Sequence, residues 1–293
     1  MQIRCAGFKK LAMRSLHSST AAAYLVAAIL CAPAAEAAHI SPACAALKQK
    51  QAALLDEDVF QANLLLFSAA SGGCEDLARE LLDRGIAIDA RDRLGRTALA
   101  LAAKEGRGRV AELLLARGAS LDARAISGAT PLFFAVEGDH TSVAKLLFTR
   151  GADVNLTGSG GSTPLIAAAF NGNAELLDLF LAKGAAPNAL DATGKAAILY
   201  AASRGFTRVV ARLIEAGVEV NRGYEHGLTA LMWAAGYADG AGIDDIKQVI
   251  SLLIARGAAL GVRDDRGHIA YEIARDLGHR EVADFLRAQR PAR

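Results

Sequence analysis

Five histidines lie beyond residue 37: His39, His140, His226, His268 and His279. A zinc site needs three or four His, Cys or carboxylate ligands, often with two histidines one helical turn apart. No His pair stands at i and i+4, and no glutamate set completes such a site. The stretch GSGG at 158–161 has the glycines of a phosphate-cradling loop, but the Gly-Lys-Ser/Thr that must follow is missing. A tight turn uses the same glycines. The aspartate pairs Asp244–Asp245 and Asp264–Asp265 could attract a cation, yet helix capping and turn formation employ the same side chains. Asn155-Leu156-Thr157 is formally a glycosylation acceptor. No nucleophile sits beside a base. The residues carry no enzyme signature, and neither cofactor nor metal is expected.

The chain has 293 residues, 33 of them basic and 31 acidic. Arg4, Lys9, Lys10 and Arg14 stand against Glu36 alone in the first 37 positions, so the remainder is close to neutral with a slight acidic excess. A phosphate backbone demands a clustered basic surface, and nucleic acid is not an expected partner.

Those 37 residues run from the basic positions into the uncharged stretch AAAYLVAAILCAPAA (21–35) and then AEAA. A basic n-region, an apolar h-region and a small-x-small site define a secretory leader, here cut after Ala37. The apolar run falls short of the ~20 residues that span a bilayer, and Pro33 interrupts it. Met13 would open a leader of more ordinary length. A lipoprotein cut before Cys31 is disfavoured by Leu30. Removal of the leader takes Cys5 and Cys31 and leaves Cys44 and Cys74. These two satisfy either one disulfide, tying the N-terminal segment to the first helical pair, or two separate thiols.

The remainder repeats. Gly85, Gly118, Gly151, Gly184 and Gly217 are 33 residues apart, as are Gly95, Gly128, Gly161, Gly194 and Gly227. Both series then step by 40, to Gly257 and Gly267, so one unit carries seven extra residues near 237–244. RVAELLLARG, SVAKLLFTRG, ELLDLFLAKG and RVVARLIEAG each place apolar residues at helical spacing and end on glycine. Thr130-Pro131 and Thr163-Pro164 supply an N-cap followed by a proline at the first helical position. Each unit reads as turn, helix, loop, helix, and none can bury its apolar stripe alone, so neighbours must stack.

GATPLFFAVEGDHTSVAKLLFTRGADVN at 128–155 and GSTPLIAAAFNGNAELLDLFLAKGAAPN at 161–188 resemble the ankyrin repeat. The resemblance implies an all-α solenoid of stacked helix-turn-helix units with short β-hairpin fingers. Its expected layout is a leader at 1–37, an N-terminal helical segment at 38–60 and a repeat domain at 61–290. The units are 61–91, 92–124, 125–157, 158–190, 191–223, 224–263 with the insertion, and a closing 264–290. The chain departs from the family where a histidine normally follows Thr-Pro-Leu: Ala100, Phe133, Ile166, Leu199 and Met232 stand there. Apolar packing is expected in place of that histidine's inter-repeat bonds. The unit beginning GKAAIL lacks Thr and Pro at its helix start, costing about 1 kcal/mol for the absent cap. His140 and His279 match the position opening the second helix and are expected to be structural.

By the same resemblance, a concave face of fingers and first helices binds a partner. The positions so implied are Arg93, Leu94, Arg96, Lys104 and Glu105, then Ile126, Ser127 and Glu137, then Phe170, Asn171 and Leu190. Lys195, Arg204, Glu225, His226, Leu228 and Tyr237 complete them. Large apolar residues facing water are the informative ones, so Phe170 and Tyr237 are the expected anchors, backed by Leu94 and Ile126. Phe170 either faces a partner or folds onto a neighbouring helix. Trp233 occupies the position of Leu101, Phe134 and Tyr200 and is expected to pack. The expected function is a non-catalytic, monomeric protein-interaction module. It is exported, in a bacterium to the periplasm, with no stable membrane insertion once the leader is cut. The alternative is a secreted effector that binds a host protein through the same face. The long loop at 238–244 is a second place where binding residues could sit.

Overall fold

The computed structural model describes residues 41–53, 59–238 and 240–289. The leader and its cleavage point lie outside the described residues. Among the described residues, helix α1 (Pro42–Ala53) precedes seven helix pairs. They are α2 (Val59–Gly72) with α3 (Glu75–Asp83), α4 (Ala98–Lys104) with α5 (Gly108–Ala116), and α6 (Pro131–Glu137) with α7 (Thr141–Thr149). Next come α8 (Pro164–Asn171) with α9 (Ala174–Ala182) and α10 (Ala197–Ser203) with α11 (Thr207–Glu215). The last are α12 (Ala230–Gly236) with α13 (Ile243–Ala255) and α14 (Ala270–Asp276) with α15 (Arg280–Ala288). Even-numbered helices stack on one another as an inner layer, odd-numbered ones from α3 onward as an outer layer, and α1 packs against α2 and α3.

Local chemistry explains why the inner helices start where they do. Thr97, Thr130, Thr163 and Thr229 sit in extended conformation, and each hydroxyl accepts the backbone N–H three residues on, at 3.2–3.3 Å. Pro131 and Pro164 follow as first helical residues, where no N–H is needed. At the corresponding start of α10, Ala196 makes no side-chain cap. Each outer helix from α3 to α13 is followed by a glycine in the left-handed region, such as Gly118 at φ +86°, which returns the chain toward the next finger.

Inner helices are buried almost all round, as in α4, where Ala98 to Ala103 are all buried. Outer helices bury one stripe, such as Val110, Ala111, Leu113 and Leu114 in α5. A single apolar core therefore runs the length of the stack. Ala100, Phe133, Ile166, Leu199 and Met232, at the family's histidine position, are all buried in it. Polar bonds between repeats come from a different place. Asp89 accepts from the Ser120 N–H and hydroxyl, Asp122 from the Asp153 N–H and Asn155 from the Ala186 N–H. Asn221 accepts from the Ala259 N–H and donates to the Gly257 carbonyl. These residues fall on one 33-residue register. Asn188, on the same register, leaves its buried Oδ1 without a partner.

The insertion is shared between loop and helix. The helix α13 has 13 residues where the other outer helices have nine, and the loop before it runs from 237 to 242. Most of the extra chain thus lengthens the outer helix, whose first turn gains Asp244 and Asp245 at its positive end. At the other end of the stack, Cys44 in α1 and Cys74 at the start of α3 form a disulfide, with Cα atoms 5.4 Å apart.

Candidate protein-binding face

The fingers that join successive repeats are tight turns. Among the described residues they form no sheet, and one isolated antiparallel bridge joins Leu190 to Ala196. Where an aspartate opens a finger, it organises the whole turn. Asp92 accepts the Leu94 and Arg96 N–H groups, and pairs with the Arg96 guanidinium at 2.8 Å. Asp191 accepts the Thr193 and Lys195 N–H groups and the Thr193 hydroxyl. Asp264 accepts those of Arg266 and His268 and pairs with Arg266 at 3.0 Å. The turn role expected for Asp264 is therefore realised. Neighbouring fingers are also bonded, Ile126 N–H to Leu94 carbonyl, Ala192 N–H to Gly160 carbonyl and Asp265 N–H to His226 carbonyl.

Of the apolar positions expected to make contact, Leu94 (55%), Ile126 (78%), Phe170 (42%) and Leu190 (43%) are exposed, and Tyr237, expected as an anchor, is half-buried. Arg93, Lys104, Glu105, Ser127, Glu137, Glu225 and His226 are exposed as well, His226 with φ +59° at its finger tip. Others are already engaged within the chain. Arg96 is held by Asp92, and Asn171 donates to the Val136 carbonyl at 2.6 Å across the repeat boundary. Leu228 is buried, a correction to its expected exposure: its carbonyl accepts the Tyr224 N–H, and its side chain turns into the core. Both expectations for Phe170 are partly met. Its ring stays accessible while packing edge-on against Tyr200 at 5.8 Å, with the Arg204 guanidinium 4.5 Å from its centroid.

Trp233 packs against the core as expected, while staying half-buried. It lies 4.8 Å from the Tyr237 ring with the Lys195 ammonium 5.3 Å from its centroid, and its buried Nε1 has no partner. Residues 101, 134, 167, 200 and 233 form one column of the inner helices, reading Leu, Phe, Ala, Tyr, Trp. Leu101, Phe134 and Ala167 are buried, whereas Tyr200 and Trp233 reach the surface. The small side chain of Ala167 leaves a cavity of about 350 Å³ between Phe133, Phe170 and Tyr200, with Glu137 and Asp191 also lining it. Sequence reasoning passed over Tyr200 and Asp191; the signal was a phenol in a column otherwise apolar.

The Tyr200 hydroxyl donates to Asp191 Oδ2 at 2.5 Å. Burial pushes the Tyr200 hydroxyl up, and the Asp191 charge adds to this, to about 12. Burial also works to raise the Asp191 carboxyl. The bonds from Tyr200, Thr193 and Lys195 outweigh it and hold that carboxyl below the usual carboxylate range. The site thus keeps a fixed negative charge beside an aromatic wall.

The profile of the family described as Ankyrin repeats (3 copies) matches residues 34–125, 66–158, 121–191 and 165–244, well over half of the chain. The chain belongs to the ankyrin-repeat family. No curated protein matches the sequence significantly. The crystal structure of the human ASB11 ankyrin repeat domain aligns with a TM-score of 0.66 at 24% identity, covering 78% of this chain and 98% of that one. That likeness is one of fold. Ankyrin repeats are general protein–protein interaction modules, and the all-helical solenoid expected from the sequence is the architecture found.

The two surfaces of this ankyrin stack differ in kind. Consecutive outer helices are bridged by ion pairs: Asp83–Arg117, Glu112–Arg150, Lys145–Glu175, Asp178–Arg212, Glu215–Arg256 and Lys247–Glu281. All of the exposed large apolar residues but Ile243, which opens the outer helix α13, are elsewhere. Leu94, Ile126 and Leu190 are on fingers, Phe170 and Leu277 at inner-helix ends, Phe60 and Leu64 on α2, and Ile243 in the insertion. Among the described residues no helix is long and apolar enough to cross a membrane, and no group of His, Cys, Asp and Glu is arranged to hold a metal.

Proposed function

We propose that this ankyrin-repeat protein is exported and works without catalysis, holding a partner protein against its fingers and inner helices. The observation that carries the reading is the segregation just described. Charged side chains tie the outer layer together, while the exposed large apolar side chains, Ile243 at the start of α13 excepted, collect on the fingers and inner helices. Scattered apolar residues are ordinary on a protein surface; a concentration on one face marks contact. Binding energy would come from a few anchors, Phe170 and Ile126 first, rather than from total area. Export is supported by the leader-like order of residues 1–37 and by the Cys44–Cys74 disulfide, since such bonds persist in oxidising compartments. In a bacterium that compartment would be the periplasm.

The test is capture of partners from an envelope extract by the exported protein, beside the double variant Ile126→Asp with Phe170→Asp. Both positions are exposed, so circular dichroism should show both proteins folded. The expected result is a protein retained by the parent and lost by the variant. Equal retention would move the contact away from this face. Recovery of the protein outside the cells, with capture of a host protein, would favour the secreted effector.

A further inference from the structure

The cavity beside Tyr200 has a charge of its own. Its lining is mostly carbon, from Phe133, Ile166, Ala167, Phe170 and the Tyr200 ring. Two carboxylates line it, Asp191 and Glu137, and no cationic side chain does. Arg204 and Lys195 are turned onto aromatic rings, Arg204 toward Phe170 and Phe206 and Lys195 toward Trp233. Asp191 directs Oδ1 to the Thr193 N–H and hydroxyl and the Lys195 N–H, while among the described residues Oδ2 accepts only the Tyr200 hydroxyl. That leaves Oδ2 able to accept another donor. Glu137 is exposed and makes no ion pair among the described residues.

The walls are also held in place. A Cβ on Gly158 would come within 2.3 Å of the Phe133 ring, so the bare glycine lets the finger close onto that ring. Gly160 takes φ +63° at the rim, and its carbonyl bonds the next finger. The cavity is therefore a fixed recess with an apolar interior and negative charge, not a gap awaiting collapse. Long basic side chains are the natural complement, since they pair an aliphatic stem with a cationic head.

We propose that this cavity is the socket for a basic side chain, arginine or lysine, of the partner protein, its stem against Phe170 and Tyr200 and its head between Asp191 and Glu137. The proposal rests on the reading of this face as the partner-binding surface and names the chemistry the partner must offer there.

The experiment is an NMR titration of the full chain with three capped tripeptides, Ac-Ala-X-Ala-NH2, where X is arginine, its uncharged isostere citrulline, or leucine. The arginine peptide should shift the Gly160, Ser162 and Thr193 amides saturably, and citrulline should bind about tenfold more weakly for want of charge-assisted bonds. Glu137→Gln, an exposed change, should weaken arginine binding about threefold. Ala167→Leu, which fills the recess, should abolish it while leaving the remote amide signals in place. Equal binding of all three peptides, or no saturable shift at those amides, overturns the proposal. So does unaltered binding by both variants. Failure here, while Ile126→Asp with Phe170→Asp still loses a captured partner, rejects the socket and leaves the face. A working socket without any captured partner does the reverse.

Discussion

Asp191 settles a competition between burial and hydrogen bonding. Desolvation favours the neutral acid, but four donors favour the anion, and the anion wins. The sign of the pH dependence follows. A depressed carboxyl contributes stability that is present above its unfolded value of about 3.9 and is lost as pH falls through the lower folded value. Tyr200, raised to about 12, contributes stability present below its unfolded value near 10 and lost as pH rises through the folded one. The pair should therefore stabilise the protein across the neutral range and fade at both extremes. In Tyr200→Phe the Asp191 carboxyl should titrate higher than in the parent, read by carboxyl carbon NMR. An unmoved midpoint would remove the phenol as a cause of the low value.

Element by element, α10 tests the rule of threonine caps, which α14, starting after Ile269, also breaks. Its inner-layer counterparts α4, α6, α8 and α12 begin on a threonine whose hydroxyl accepts the third N–H of the helix, whereas α10 begins on Ala196. Ala196 already has the extended backbone of those threonines, φ −104° and ψ 165°, and they are as buried as it is. Ala196→Thr should therefore add about 1 kcal/mol in urea unfolding; a loss of stability would mean the hydroxyl has no room. The helices and their order were legible in the sequence because glycine turns, caps and apolar stripes are local demands, repeated every 33 residues. Bonds between repeats were not, because Asn155 to Ala186 or Ile126 to Leu94 depend on which strangers stacking brings together. The site was legible by half. Leu94, Ile126 and Phe170 could be counted out from the turn glycines, yet the cavity exists because Ala167 is small between larger neighbours, a property of the column rather than of any one residue.

At the scale of the whole stack, the main packing of each described repeat is on its neighbours, so stability is a sum of units and interfaces, and the ends are weakest. The N-terminal end has an answer to this in α1, which covers the first pair and is tied down by Cys44–Cys74. Both cysteines are nearly inaccessible, so the bond is part of the packing as well as a tether. Closing a loop of 30 residues removes denatured-state entropy worth roughly 3–4 kcal/mol. In a one-dimensional stack that loss should stay local. Cys44→Ser with Cys74→Ser is expected to speed amide exchange in α1, α2 and α3 while leaving α6 to α11 protected, by hydrogen-exchange mass spectrometry. The partner face near Phe170 and Tyr200 lies within that protected stretch and should bind as before. Faster exchange spread evenly from α2 to α15 would show that the stack opens as one body, and the disulfide would then be guarding the binding face too.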